Sequence, residues 1–234
     1  MGYMYQPVKA ISFDCYGTLV QWDSILIDAI AKILLRQKVT DISAASVIAS
    51  SYGYARKLQE SDSYIPYKSI LGASFVQAFA EHDVRVTDQD VDPIVQCLRH
   101  MGPHPEVPSV LAQLRSRYKL AIITNSDDDI IQSNLRLIRT PIDVVVTSQQ
   151  ARAYKPSATI FRLAHQRLGV TKDSIVHVAM SMHLDISACH LLGMRGIWIN
   201  RRALTGKQEW SPFAELPDLS GLPALLEGLA RTGE

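Results

Sequence analysis

The chain has 234 residues, 47% of them hydrophobic, enough to bury a full core in one domain or in a core with a modest insertion. Lys+Arg 24 against Asp+Glu 23 leaves a formal net charge of +1, and no run of like charge marks a nucleic-acid or membrane-surface partner. The three cysteines, Cys15, Cys97 and Cys189, are far apart and form no CxxC or Cys/His pattern, which argues against a disulfide framework or a zinc site and makes a reduced, cytoplasmic location the expectation.

The first residues lack a basic segment followed by an apolar one, and Gln6 breaks a myristoylation pattern. The first predicted element is a strand over Val8–Phe13, nearly continuous in apolar residues as a strand buried on both faces must be. Four helical patterns follow, Ser24–Leu35, Ala44–Gln59, Tyr67–Glu81 and Asp88–Leu98, with no convincing strand among them. Within the first, Asp28 and Lys32 interrupt an apolar stretch too short to span a bilayer.

From about His100 the pattern alternates. Helices are predicted over Val107–Arg117, Asp128–Leu137, Thr159–Leu168 and Ile186–Leu192, the last two stopped by Gly169 and Gly193. Buried strands are predicted over Leu120–Thr124, Val144–Thr147, Ile175–Ala179 and Gly196–Ile199. A short helix over Leu222–Ala230 closes the chain. Alternation of this kind predicts an α/β fold, a doubly wound parallel sheet of Rossmann-like type, with residues 1–20 and 99–234 as the core domain and 21–98 as an inserted helical cap.

In Phe13-Asp14-Cys15-Tyr16-Gly17-Thr18-Leu19 the first strand runs into an Asp and then a Gly turn. That places the Asp14 carboxylate at the carboxyl edge of the sheet, where open α/β sheets bind ligands. Taken alone, the segment also admits an Asp that merely caps a turn. The second strand ends in Thr124-Asn125-Ser126, where Thr124 could serve as a helix cap. Lys155-Pro156 lies in extended backbone at a helix entrance, from which the ammonium can point to the sheet edge and hold Asp14 ionised. The fourth strand leads into Met180-Ser181-Met182-His183-Leu184-Asp185.

These four segments, in this order and spacing, resemble the motifs of the haloacid dehalogenase superfamily. The resemblance spans nearly the whole predicted core and implies that Asp14 is a nucleophile. Members that transfer phosphoryl groups carry a second Asp two residues after the nucleophile and a Gly-Asp pair in the fourth motif that helps to hold Mg²⁺. This chain has Tyr16 and Ala179-Met180 there. A phenol does not replace a carboxylate as acid/base, and a thioether is a poor ligand for a hard cation, so no metal or other cofactor is expected.

The sequence is more similar to the metal-independent 2-haloacid dehalogenases, whose first motif also reads Asp-x-Tyr-Gly-Thr. That similarity implies an alkyl ester on Asp14, formed by displacement at a saturated carbon and cleaved by water. Lys155 would keep Asp14 charged, Thr124 and Asn125 would orient substrate or leaving group, and Tyr16, Thr18 and Ser181 would line or support the site. Asp185 would either activate water or fix Lys155, unless it only caps the following helix. His177 and His183 receive no catalytic part.

Two departures bear on the substrate. The family's substrate-gripping cap Arg has its nearest counterpart in Arg56, and Phe161 stands where such enzymes often carry a Tyr, which removes an active-site hydroxyl. Trp22, Tyr52, Tyr54, Tyr64 and Tyr67 are candidates to line an apolar pocket, although aromatics in a helical insertion are commonly core. The expectation is a hydrolase acting on a small carboxylic acid, foremost a 2-haloacid, with a homodimer as its assembly. The alternatives are opening of a strained C–N ring such as azetidine-2-carboxylate, a phosphatase of small metabolites, and a non-catalytic binding module.

Overall fold

The computed structural model describes residues 6–232; the first five residues, where the readings of the leader and myristoylation patterns begin, lie outside them. Six parallel strands form one sheet in the order β3-β2-β1-β4-β5-β6: β1 Ala10–Phe13, β2 Lys119–Thr124, β3 Val144–Thr147, β4 Ile175–Ala179, β5 Arg195–Ile199 and β6 Ala214–Leu216. Because the chain winds from β1 to one side and then from β4 to the other, the carboxyl ends of β1 and β4 flank the point where winding reverses. Ligand crevices in such sheets open there.

Alternating side chains sort the core into two clusters. Ile11, Phe13, Leu120, Ile122, Val176 and Val178 belong to one, and Ala10, Ala121, Ile123, Val146 and Ile175 to the other. The first is covered by α5 (Val107–Arg115), α6 (Asp128–Ile138) and α10 (Leu222–Thr232). The second is covered by α8 (Ala158–Leu168) and α9 (Ser187–Leu192), whose ends are set by Gly169 and Gly193, both at positive φ.

Between β1 and α5 stand α1 (Asp23–Arg36), α2 (Ala44–Gln59), α3 (Tyr67–Glu81) and α4 (Asp88–Cys97), which pack mainly on one another and share the first cluster through Leu26, Ile30, Phe75 and Ile94. Ser43 caps α2 by accepting from the Ser46 amide at 3.0 Å, and Thr87 and Asp90 form a capping box on α4. The bounds of α2 and α3 match the sequence reading. Among the elements the sequence did not suggest are a short helix, α7, over Ser148–Ala151, and β6, whose three residues include a polar Glu215 and pair only along the sheet edge.

The insertion is tied to the core by polar contacts. The Asp127 carboxylate accepts the amides of Tyr67 and Lys68 at 3.0 and 2.9 Å and so caps α3 from the far side of the interface. Tyr154 donates to the Ile65 carbonyl at 2.6 Å and stacks on Tyr64. Asp127→Ala strips the first turn of α3 of its acceptor and is expected to lower stability by about 0.5–2 kcal/mol in urea denaturation, the range for a lost helix cap.

Candidate active site

Asp14 is positioned by the sheet itself, since its amide continues the β1–β4 ladder by donating to the Val178 carbonyl at 3.0 Å. The chain then turns back through Gly17, at φ +83°, where a Cβ would lie 3.1 Å from the Met180 side chain. The turn brings Thr18 beneath the carboxylate. Its hydroxyl donates to Asp14 Oδ2 at 2.7 Å and accepts the Met180 amide at 2.9 Å.

Lys155 Nζ lies 2.7 Å from Asp14 Oδ1 and 2.7 Å from Asp185 Oδ1, with exposures of 2%, 7% and 0% for the three residues. Burial opposes every one of these charges. For Lys155 the two carboxylates outweigh burial and hold the ammonium above its usual range. For Asp185 the Lys155 charge and the His177 ring outweigh it and hold the carboxyl low. For Asp14 burial prevails, with the Asp185 charge added, and pushes the carboxyl up against the pull of Lys155.

Asp185 stands on a π turn over Met182–Ile186 whose entry is capped by Ser181 Oγ, which accepts the Leu184 amide at 3.1 Å. Turns of this kind concentrate at functional sites. Behind Asp185, His177 Nε2 donates to Oδ1 at 3.0 Å, and its Nδ1 faces Ser12 Oγ at 2.8 Å. Asp185 Oδ2 is buried and has no hydrogen-bond partner.

The expected residues come together unevenly. Asp14, Tyr16, Thr124, Asn125, Lys155, Ser181 and Asp185 line one cavity of about 610 Å³ between the sheet edge and the insertion, with Thr18 beneath Asp14. Asn125 differs from expectation, because both ends of its amide grip the Lys155 backbone: Oδ1 accepts its N–H at 2.7 Å and Nδ2 donates to its carbonyl at 3.3 Å. Asn125 thus holds the lysine loop.

Tyr16 turns its hydroxyl away to Asn134 Oδ1 at 2.7 Å, leaving the ring to the cavity. Thr124 Oγ1 is buried with no partner. Arg56 reaches the cavity rim, but it is 61% exposed and paired with Glu60 at 2.9 Å across one helical turn.

Phe161 is a correction to the expected vacancy in the active site. It lies outside the cavity lining, fully buried against the edge of His177 at 5.3 Å. His177 is the residue that sequence reasoning passed over; its only signal was an imidazole in an otherwise apolar buried strand. Of the aromatic candidates, Trp22, Tyr52 and Tyr67 line the cavity, whereas Tyr54 and Tyr64 do not.

The donor set does not suit Mg²⁺. The Lys155 ammonium fills the position between the two carboxylates, Tyr16 and Met180 supply no hard ligand, and among the described residues no three His, Cys, Asp or Glu side chains gather as a metal cluster.

Sheet order and site together define a doubly wound α/β hydrolase with a carboxylate centre at the switch point. The sequence matches the family described as haloacid dehalogenase-like hydrolase over residues 8–193, and the chain belongs to that family. It is 26% identical to haloacetate dehalogenase H-2 of Moraxella sp. over 84% of this chain and 87% of that one. It is 22% identical to (S)-2-haloacid dehalogenase 4A of Burkholderia cepacia over 95% and 96%. The L-2-haloacid dehalogenase of Xanthobacter autotrophicus with chloropropionic acid covalently bound superposes with a TM-score of 0.84, covering 95% of this chain and 100% of that one at 19% identity.

Lys155→Met leaves two buried carboxylates face to face, and is expected to cost about 3–5 kcal/mol at neutral pH. In the variant both carboxyls titrate above their unfolded values, so the native state binds more protons and stability rises as pH falls. Urea denaturation at pH 5 and pH 7.5 reads the sign.

Proposed function

We propose that the protein hydrolyses a 2-haloacid, with Asp14 as the nucleophile and residues 21–98 acting as a cap over the substrate. The observation that carries this reading is the Lys155 ammonium wedged between Asp14 and Asp185, which gives the nucleophile a counter-ion and occupies the place a divalent cation would need. The names of the relatives support the leaving group as halide.

An oxygen of the Asp14 carboxylate attacks C2 of the substrate, a C–O bond forms, and the halide departs with the electrons of the broken bond. Each carboxylate oxygen keeps an acceptor direction beyond its contact with Lys155 or Thr18, so neither hydrogen bond has to break first. Holding the two reactants in line can contribute about 7–11 kcal/mol in favourable systems. Thr124 Oγ1, an unpaired donor in the cavity wall, hydrogen-bonds the substrate carboxylate. Water then adds to the aspartyl carbonyl carbon, releasing the 2-hydroxy acid and a proton and restoring Asp14 with one oxygen from solvent.

Asp185 is a positioning residue in this scheme. A carboxylate held low is a weak base, and its Oδ1 is committed to Lys155 and His177. Asp185→Asn is therefore expected to slow formation of the ester in single-turnover mass measurement; normal formation with accumulation of the ester would instead make Asp185 the base for hydrolysis.

A second reading keeps the ester but opens a strained C–N ring. It is favoured by Arg56, whose guanidinium at the cavity rim is already paired with Glu60 at 2.9 Å. Turnover in ¹⁸O-water followed by mass analysis of the Asp14 peptide tests both: label in Asp14 is expected, and turnover without label excludes the ester. Halide release separates the two. Because burial and the Asp185 charge hold the Asp14 carboxyl above its ordinary range, protonation removes the nucleophile early, and the alkylation rate should fall on acidification through a midpoint above that of an ordinary aspartate.

A further inference from the structure

We infer that the substrate is a bulky one, a 2-haloacid whose C2 carries an aryl or long alkyl group, and not a two- or three-carbon acid. The inference rests on the dehalogenation reading and concerns which acid that site takes.

The cavity is divided by chemistry. At its sheet end Asp14, Thr124, Lys155 and Asp185 gather the polar atoms. At its other end the wall is carbon, made by Trp22, Leu26, Tyr52, Ala55, Leu71 and Phe75. Ser51, Tyr52, Ala55, Arg56 and Gln59 recur at the spacing of one helix face, so α2 presents a stripe along the chamber.

Three of the polar groups along that wall are engaged without a ligand. Trp22 Nε1 donates to the Tyr52 hydroxyl at 2.9 Å, Ser51 Oγ donates to its own helix at Ile48, and the Tyr16 hydroxyl is spent on Asn134. The wall therefore offers mainly contact to apolar groups, with Tyr67 and Gln59 as the polar side chains beside it. Arg201, also on the lining, donates to the Thr18 carbonyl at 2.8 Å and to Glu106 at 2.5 Å, which ties it to the nucleophile turn.

Size points the same way. A cavity of about 610 Å³ lies within the range of roughly 300–1,000 Å³ that holds drug-sized ligands. Chloroacetate fills the polar end and leaves the carbon wall facing water. A benzyl or hexyl group on C2 displaces that water and buries its own surface against Leu71 and Phe75.

Kinetics on chloroacetate, 2-chloropropionate, 2-chlorooctanoate and 2-chloro-3-phenylpropionate, each chiral acid as separate enantiomers, test the inference through halide release. The bulky acids are expected to exceed 2-chloropropionate in kcat/KM by about tenfold or more, since even one methylene in an apolar pocket discriminates by about tenfold. Ala55→Trp, which fills the chamber from α2, is expected to reverse that ratio.

Calorimetry with unreactive 3-phenylpropionate and propionate reads the chamber apart from the chemistry, with tighter binding of the aryl acid by about tenfold expected. Short acids turned over as well as or better than the bulky ones overturn the inference and leave dehalogenation standing. Halide from none of the acids, with no mass added to the Asp14 peptide, overturns dehalogenation, and the size inference survives only as a statement about ligand binding if the aryl acid still binds more tightly.

Discussion

The ammonium of Lys155 is the constraint on which the rest of the centre depends. Two buried carboxylates share it at 2.7 Å each, and without it neither could remain charged so far from water. Much of the surrounding architecture fixes its position: Asn125 clamps its peptide on both sides, Tyr154 just before it is anchored to the insertion through the Ile65 carbonyl, and His177 occupies the remaining side of Asp185 Oδ1. The unequal effect on the two carboxyls follows. Asp185 gains two cationic or donor neighbours and stays low, whereas Asp14, with a neutral Thr18 as its second partner, stays high.

That asymmetry suits a division of labour. A nucleophile should not be so stabilised as an anion that attack costs more than it gains, and a counter-ion partner should never lose its charge. Had the second position of the first motif carried a carboxylate in place of Tyr16, the cluster would have needed another cation. Tyr16 brings a neutral ring, and its hydroxyl joins Asn134, which also donates to the carbonyls of Leu98 and Met101 where the insertion returns to the core. Tyr16 therefore also links the turn after β1 to the point where the inserted helices return to the sheet.

Much of this was legible in the sequence, for physical reasons that differ by element. β3 and β4 showed as short apolar runs because a parallel strand between two helical layers has no polar face. Asp14 showed as a charged residue at the end of such a run, and Lys155 as a lysine before proline at a helix entrance, in a segment that with three others resembles the superfamily's motifs. β6 did not show, since three residues at a sheet edge need no pattern. His177 did not show because its role depends on Asp185, eight residues on and opposite in space, and no local spacing reports that contact. The substitution at Phe161 was visible, but its consequence was not: it packs behind the site, and the contact to Asp185 comes from the imidazole ring it supports. Arg56 stands at the cavity rim, and its pairing with Glu60 required the helix to be built.

The contrast between the two ends of the cavity follows from which element supplies each wall. The edge of a parallel sheet exposes strand ends, turns and helix starts, all rich in unpaired donors and acceptors, so a site built there is polar whatever the substrate. Helices such as α1, α2 and α3 pack through apolar faces, and where they stand apart they expose those faces to whatever lies between. On the proposed reading the core sets the reaction and the insertion sets the shape of the molecule that undergoes it. Changes at Leu26, Ala55 or Phe75 can then alter selectivity while the carboxylate–lysine–carboxylate arrangement, held by β1, β4 and the Lys155 loop, keeps its geometry.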